Sequence, residues 1–523
     1  MSENMHRKLS VFLKGTRTTE GKITIFTSIV GCLVLVCAFV AFNVNVPTAS
    51  ADDVTTSVTV LNTPPTFDTD VAESPASATT TPTNAGSVLS FTVQATDSSG
   101  DNYYLIICKT GGAPTGNSGA APTCNGGISN QWAVSGATAS GAVATAATTT
   151  TNNFPFNNES NDWYAFICDN NATLARCNAT VNRGTPNQDS ASPFVINHIP
   201  VFYSLTNNSP QNPGGTVTWT TGSSDPDTLG TADTVQLFVC KTAVFNGSTC
   251  TTGGAWATST AASSNAATST PIAIPTQDRL YNAYVYLVDN HGLQATSTFQ
   301  GTNSFFRVSN QSPTISAAGI SILDTDNVGN LTLTVPQATS GPFKVSFVVS
   351  DNNGCLNASS TSEITSSVMS IYRSGATCST SGDYNTNNCY ASSSPNFTPF
   401  YSCAIDSAVN ACSGATDSDV GVTCTFSLWY NSDATDVGSQ FAAQNWLAAV
   451  RSTDDNASSS PVTVSASGND LTQFLAFDVS TTTVAYGSLQ PGETTTPLIA
   501  NTDLKAVGNV GLDEDVYGST MCT

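Results

Sequence analysis

The sequence predicts an all-β chain: tandem antiparallel β-sandwiches after an N-terminal signal or transmembrane helix. Three observations carry that expectation. After residue 51, short runs rich in Val, Ile, Thr and aromatics alternate apolar with polar positions, the period of a half-buried strand. Gly, Asn, Ser and Pro crowd the stretches between the runs, where turns need them. Sustained helical periodicity is absent over the same region.

The N-terminal segment, 1–51, is built differently. Arg7, Lys8, Lys14, Arg17 and Lys22 precede the uncharged apolar run 23–46, and Ala49-Ser50-Ala51 then fits the small-residue pattern of signal cleavage. The run is also long enough to span a bilayer, so a cleaved signal and a retained anchor both stand. Thirteen of the 15 cysteines follow residue 51, as suits an exported, extracellular or cell-surface chain in an oxidising compartment. With 37 acidic against 15 basic residues and a net charge of −22, the chain repels nucleic acid and anionic lipid. Nucleic acid is therefore not an expected partner, and membrane contact is expected only through the N-terminal segment.

The rest of the chain repeats. IICKTGGAPTGNSGAAPTC (106–124) and LFVCKTAVFNGSTC (237–250) are the same strand, loop and cysteine pair written twice. NTPPTF (62–67), NHIPVF (197–202) and NQSPTI (310–315) share Asn-x-x-Pro-x-(Phe/Ile) and follow short β-prone runs, so they mark junctions where proline ends pairing. Within each unit the order recurs. An alternating run (LSFTVQAT, GTVTWTT or FKVSFVVS) meets an aspartate loop at Asp97, Asp225 or Asp351. A strand containing or leading to cysteine follows, and a late strand (WYAFICDNN, YNAYVYLVDN or NWLAAVRSTDDN) closes the unit. The expected units are 52–197, 198–310 and the cysteine-rich 311–477. A fourth begins at 478–523 with too few strands to close a core, the mark of a truncated chain or of a donated sheet.

These stretches resemble bacterial cell-surface proteins made of tandem Ig-like or fibronectin III-like repeats, of the kind found in candidate-phylum bacteria. ATDSSGDNYYLIICKT, FVVSDNNGC, VMSIYRSGATC, NWLAAV and FDVSTTTVAYGSLQPGE carry the resemblance. It implies Ig-like sandwiches and a role in adhesion or surface display, with other surface proteins or glycans as partners; it implies no enzymatic activity. A self-assembling surface-layer or filament subunit is the alternative, and a glycan-active enzyme module a more distant one.

Cysteines fall in even sets: Cys108, Cys124, Cys168 and Cys177; Cys240 and Cys250; Cys355, Cys378, Cys389, Cys403, Cys412 and Cys424, with Cys522 left over. Zinc needs closer cysteine spacing or more histidine than the three present. The expectation is disulfides, with local clips 108–124, 168–177 and 240–250 stapling the loop after a strand, each contributing about 3 kcal/mol. Connectivity in the third unit stays open, since six cysteines allow fifteen pairings.

The aspartates carry the remaining chemistry. If the loops after the second and sixth strands share one end of each sandwich, then Asp97 and Asp101 approach Asp169, Asp225 and Asp227 approach Asp289, and Asp351 approaches Asp454. Such oxygens suit Ca²⁺. The competing reading is turn formation, in which aspartate binds its own backbone. No nucleophile–base arrangement, zinc-protease helix or phosphate loop is present, so no catalytic residue and no other cofactor is expected.

Overall fold

The computed structural model describes residues 61–515 and Tyr517, apart from 268–273, 379–382, 395–400, 482–487, 489 and 494–502. The expected N-terminal helix, Cys522 and parts of the 478–523 unit lie outside the described residues. Among those described, the chain is all-β. Strands pair antiparallel throughout, except that Phe194–Asn197 runs parallel to Thr83–Asn84. Two 3-10 turns, Ile128–Asn130 and Ala317–Gly319, are the only helical segments described. No helix among these residues is long and apolar enough to cross a membrane.

Apolar side chains gather into three main cores in chain order. The first surrounds Phe91, Trp163 and Phe194, the second Trp219, Tyr281 and Phe306, and the third Phe347, Tyr390 and Trp446. Period-two patterning explains the strands that build them. Along Val88–Thr96, Leu89, Phe91, Val93 and Ala95 are buried while Ser90, Thr92 and Gln94 are half-buried. Thr339–Ser350 alternates likewise from Phe343 onward; its register against Asp419–Trp429 slips at Gly341-Pro342, where proline cannot donate.

One three-stranded arrangement appears in every unit. Tyr103–Cys108 lies between Tyr164–Asp169 and Gln131–Val134, and Val235–Cys240 between Tyr284–Asp289 and Ala255–Thr258. In the third unit Ile364–Arg373 lies between Trp446–Asp454 and Cys389–Tyr390. Tyr103–Cys108 is buried at all six positions because both its faces are covered. Tyr103, Leu105 and Ile107 enter the main core, whereas Ile106 and Cys108 join Cys124, Phe166 and Cys168 in a small outer one.

That outer cluster explains the repeated cysteine pair. The Cys108–Cys124 disulfide spans 16 residues and Cys240–Cys250 spans 10, each folding a loop over the outer face of its central strand. In the second loop Phe245 stacks on Tyr286 at 4.5 Å and meets Phe238 at 5.2 Å. The lysine after each first cysteine is placed alike in both units. Lys109 sits 4.6 Å over Trp132 and Lys241 4.7 Å over Trp256. Both indoles edge their cores, and their N–H groups donate to the Asp162 and Asn282 carbonyls.

Glu73 is an exception to apolar packing. It is buried, and its Oε1 accepts from the backbone and hydroxyl of Ser77 at 2.8 and 2.6 Å. Burial pushes this carboxyl up to about 7 from an ordinary 4.5. The folded chain therefore holds a proton that the unfolded chain releases earlier. The stability this proton provides is complete below about pH 4.5 and is lost as pH rises through 7. Glu73→Gln is expected to leave the first unit unchanged at pH 4 and to stabilise it by about 3 kcal/mol above pH 7, read by denaturant unfolding at the two pH values.

Candidate cation sites at the ends of the cores

Each unit places two aspartates at the same pair of positions. Asp97, Asp225 and Asp351 directly follow the strands Val88–Thr96, Trp219–Ser224 and Thr339–Ser350. Asp169, Asp289 and Asp454 are the last residues of their strands and pair across the ladder with Tyr103, Val235 and Ile364, the first residues of the central strands. The alternating runs and the shared register thus bring the two loops of each unit to one corner.

The two aspartates of a corner play different parts. Asp169 Oδ1 accepts backbone N–H groups from Asn171 and Arg176, both at 3.1 Å. Asp289 Oδ1 takes those of His291 and Leu293 at 2.9 and 2.8 Å, and Asp454 Oδ1 those of Asn456 and Ser458 at 2.9 and 2.7 Å. Their Oδ2 atoms accept from Asn62 at 2.9 Å, Asn197 at 2.9 Å and Asn310 at 3.0 Å. These three asparagines open the three Asn-x-x-Pro motifs. The late-strand aspartate is therefore a strut that fixes the junction asparagine.

The loop aspartates are only half used. Asp97 Oδ1 accepts from Ser99 N–H at 2.7 Å, Asp225 Oδ1 from Asp227 N–H at 3.0 Å, and Asp351 Oδ1 from Asn353 N–H at 2.8 Å. Each of these is a turn bond to the residue two positions on. The Oδ2 atom of all three is buried and has no hydrogen-bond partner, and neither has Oδ1 of Asn62, Asn197 or Asn310. Turn chemistry accounts for one oxygen of each aspartate and leaves the same two oxygens orphaned at every corner.

Electrostatics match this geometry. Burial, then repulsion from Asp169 and Asp101, raises Asp97 above the usual carboxylate range. Asp225 is pushed up to about 7 by burial and by Asp227, Asp289 and Asp233. Asp351 reaches about 6 through burial and its neighbours Asp454, Asp278 and Asp455. At the second corner one carboxylate oxygen from each of Asp225, Asp227 and Asp233 lies within 4.8 Å of the others. Asp233 Oδ1 accepts from Asn290 Nδ2 at 3.3 Å and lies 3.2 Å from His291 Nε2, and Asp101 likewise accepts from Asn171 Nδ2 at 3.0 Å.

Successive units also meet here. His198 Nδ1 lies 2.6 Å from Asp227 Oδ1 and its Nε2 2.8 Å from the Phe156 carbonyl, joining the second corner to a loop of the first unit. Glu159 accepts the Thr228 and Leu229 N–H groups at 2.9 and 2.7 Å across the same seam. Anionic and desolvated, and with only oxygens left unpartnered at the repeated positions, the corners fit a hard divalent cation such as Ca²⁺, which the loop aspartate Oδ2 and the junction asparagine Oδ1 would hold. Sequence reasoning marked the Asn-x-x-Pro motif for its proline and passed over its asparagine, although Asn heads all three copies. Asp233 lies two residues before its central strand, as Asp101 does in the first unit, and sequence reasoning named Asp101 without its counterpart.

The twelve predicted cysteines form six disulfides. Cys168–Cys177 spans 9 residues beside the first corner, and the third unit pairs Cys355–Cys412, Cys378–Cys389 and Cys403–Cys424. Six bonds suit an oxidising, extracellular environment.

No protein-family model and no curated protein matches the chain. Among solved structures, a marsupial T cell receptor is 8% identical, with a TM-score of 0.23, over 72% of this chain and 95% of that one. The native conformation of E. coli alpha-2-macroglobulin gives 9% identity and a TM-score of 0.16 over 80% of this chain and 24% of its own length. An alpha-L-rhamnosidase from Dictyoglumus thermophilum gives 10% and 0.14, over 51% and 29%. At such scores the architecture is described by the chain's own registers and cores.

Proposed function

We propose that this chain is an exported, non-enzymatic surface scaffold. Its Ig-like units 52–197, 198–310 and 311–477, with the start of another at 478–523, present loops that bind other surface proteins or glycans. Ca²⁺ held at the corners stiffens the joints between units. One observation carries the reading: the same corner, with the same two orphaned oxygens, is built three times where successive units meet or begin. A catalytic site needs one such constellation in a cleft, whereas a scaffold repeats its joints. The disulfides support export, and stapled loops on rigid sheets are the usual place for binding residues.

The test is to challenge producing cells with an external protease and, separately, to apply the purified chain to cells and glycan arrays with Ca²⁺ and with chelator. Surface cleavage together with Ca²⁺-dependent binding by a monomer supports the scaffold as an adhesin. Growth of sheets or filaments from the purified chain on adding Ca²⁺ replaces adhesion with the self-assembling reading. Recovery inside the cell with reduced cysteines contradicts both.

A further inference from the structure

A separate acidic group lies at the seam between the second and third units. One carboxylate oxygen from each of Asp278, Glu363 and Asp455 lies within 4.8 Å of the others. Glu363 directly precedes the central strand Ile364–Arg373 and is fully buried, and neither of its oxygens has a hydrogen-bond partner. Asp455 follows Asp454, which lies opposite Ile364 in the ladder. Asp278 comes from the second unit, just before the strand Leu280–Tyr281.

The seam itself is built firmly. Gln277 Nε2 donates to the Leu356 and Asn357 carbonyls at 3.2 and 2.9 Å, and Thr276 Oγ1 to the Ala415 carbonyl at 3.1 Å. Asn353 Nδ2 reaches back to the Thr276 carbonyl at 2.9 Å. Asp278 is thereby held against the third unit. The outer carboxylates receive amide donors: Asn456 Nδ2 donates to both Asp278 and Asp455, and Asn357 Nδ2 to Asp455 at 3.0 Å. None of these donors reaches Glu363, and no ion pair to the trio is present among the described residues.

A fully desolvated carboxylate facing two others, with no N–H donor of its own, is costly unless a proton or a cation sits among them. We infer that Asp278, Glu363 and Asp455 form a Ca²⁺ site that bridges the second and third units. All three groups offer hard oxygens and no nitrogen or sulfur joins them, which selects Ca²⁺ over the softer transition metals. Asp455 is exposed, so solvent can complete the shell. The site deepens the scaffold reading, in which cations stiffen joints, but it uses three residues outside the repeated aspartate positions.

The test counts Ca²⁺ bound to the full purified chain by equilibrium dialysis, for wild type, Glu363→Gln, Asp455→Asn and Asp225→Asn, with circular dichroism confirming each fold. Loss of one ion per chain in both Glu363→Gln and Asp455→Asn, while Asp225→Asn retains that ion, is the expected result. Folded Glu363→Gln and Asp455→Asn chains that bind as many ions as wild type, with unchanged affinity, overturn the inference; a proton shared between Glu363 and Asp455 would give that outcome. If Asp225→Asn alone loses an ion, the corner reading stands and this bridging site falls. If no variant and no wild-type chain binds Ca²⁺, both fall together.

Discussion

A chain carrying Cys355→Ala with Cys412→Ala is expected to lose about 4 kcal/mol of stability in its third unit, against about 3 kcal/mol in the second unit for Cys240→Ala with Cys250→Ala. The difference follows from the closed loops. Cys355–Cys412 spans 57 residues and Cys240–Cys250 spans 10, and loop-closure entropy grows with the logarithm of that length. Position adds a second consequence. Cys355 is fully buried in the third core and ends the turn that begins at Asp351, and Gly354 N–H donates to the Asp351 carbonyl at 3.1 Å. Loosening that turn should also weaken Ca²⁺ binding at the third corner. Calorimetry under oxidising conditions checks the first effect and a Ca²⁺ titration the second. Equal losses for the two double variants would mean that closure is not what these bonds contribute.

Asp225→Asn and Asp289→Ala are expected to shift stability in opposite directions, although both remove an acid from one corner. Asp289 is buried and accepts three donors, the His291 and Leu293 N–H groups and Asn197 Nδ2. Deleting it strands those donors, a loss of about 3 kcal/mol with or without Ca²⁺. Asp225 has one buried oxygen without a donor and faces Asp227, Asp289 and Asp233. Asparagine keeps its shape and removes the charge. In chelator above pH 7 the second unit should therefore gain about 3 kcal/mol, and the gain should disappear in acid, where the native carboxyl already holds its proton. In saturating Ca²⁺ the same variant should gain nothing further, because it has lost a ligand. Thermal unfolding of both variants in chelator and in Ca²⁺ reads all four signs.

The strands were legible because half-burial writes itself into the sequence as alternation, and Val88–Thr96 follows its pattern residue by residue. The repeated order of elements was legible for the same reason, and it pointed to aspartates at Asp97, Asp225, Asp351 and their late-strand counterparts. The division of labour between them was not. It depends on which oxygen meets a backbone N–H and which is left over, a matter of turn geometry that residue type does not encode. Connectivity in the third unit was equally hidden, since Cys355 meets Cys412 only through the tertiary fold. Glu363 was the hardest to see. In SSTSEITSS it is one acid in a polar stretch, and its character comes from burial against Asp278, a residue of a different unit.

If the orphaned oxygens repeated at the corners are cation ligands, the purified, oxidised chain must unfold differently in millimolar Ca²⁺ and in chelator, since extracellular modules saturate at about 10⁻⁴–10⁻³ M. Thermal unfolding in the two solutions decides the matter. Ligation predicts a melting temperature that rises in Ca²⁺, returns to its starting value in chelator, and rises less when Asp97→Asn, Asp225→Asn and Asp351→Asn are combined. Identical unfolding of the wild-type chain in both solutions would contradict it, and would leave the corner aspartates as turn formers.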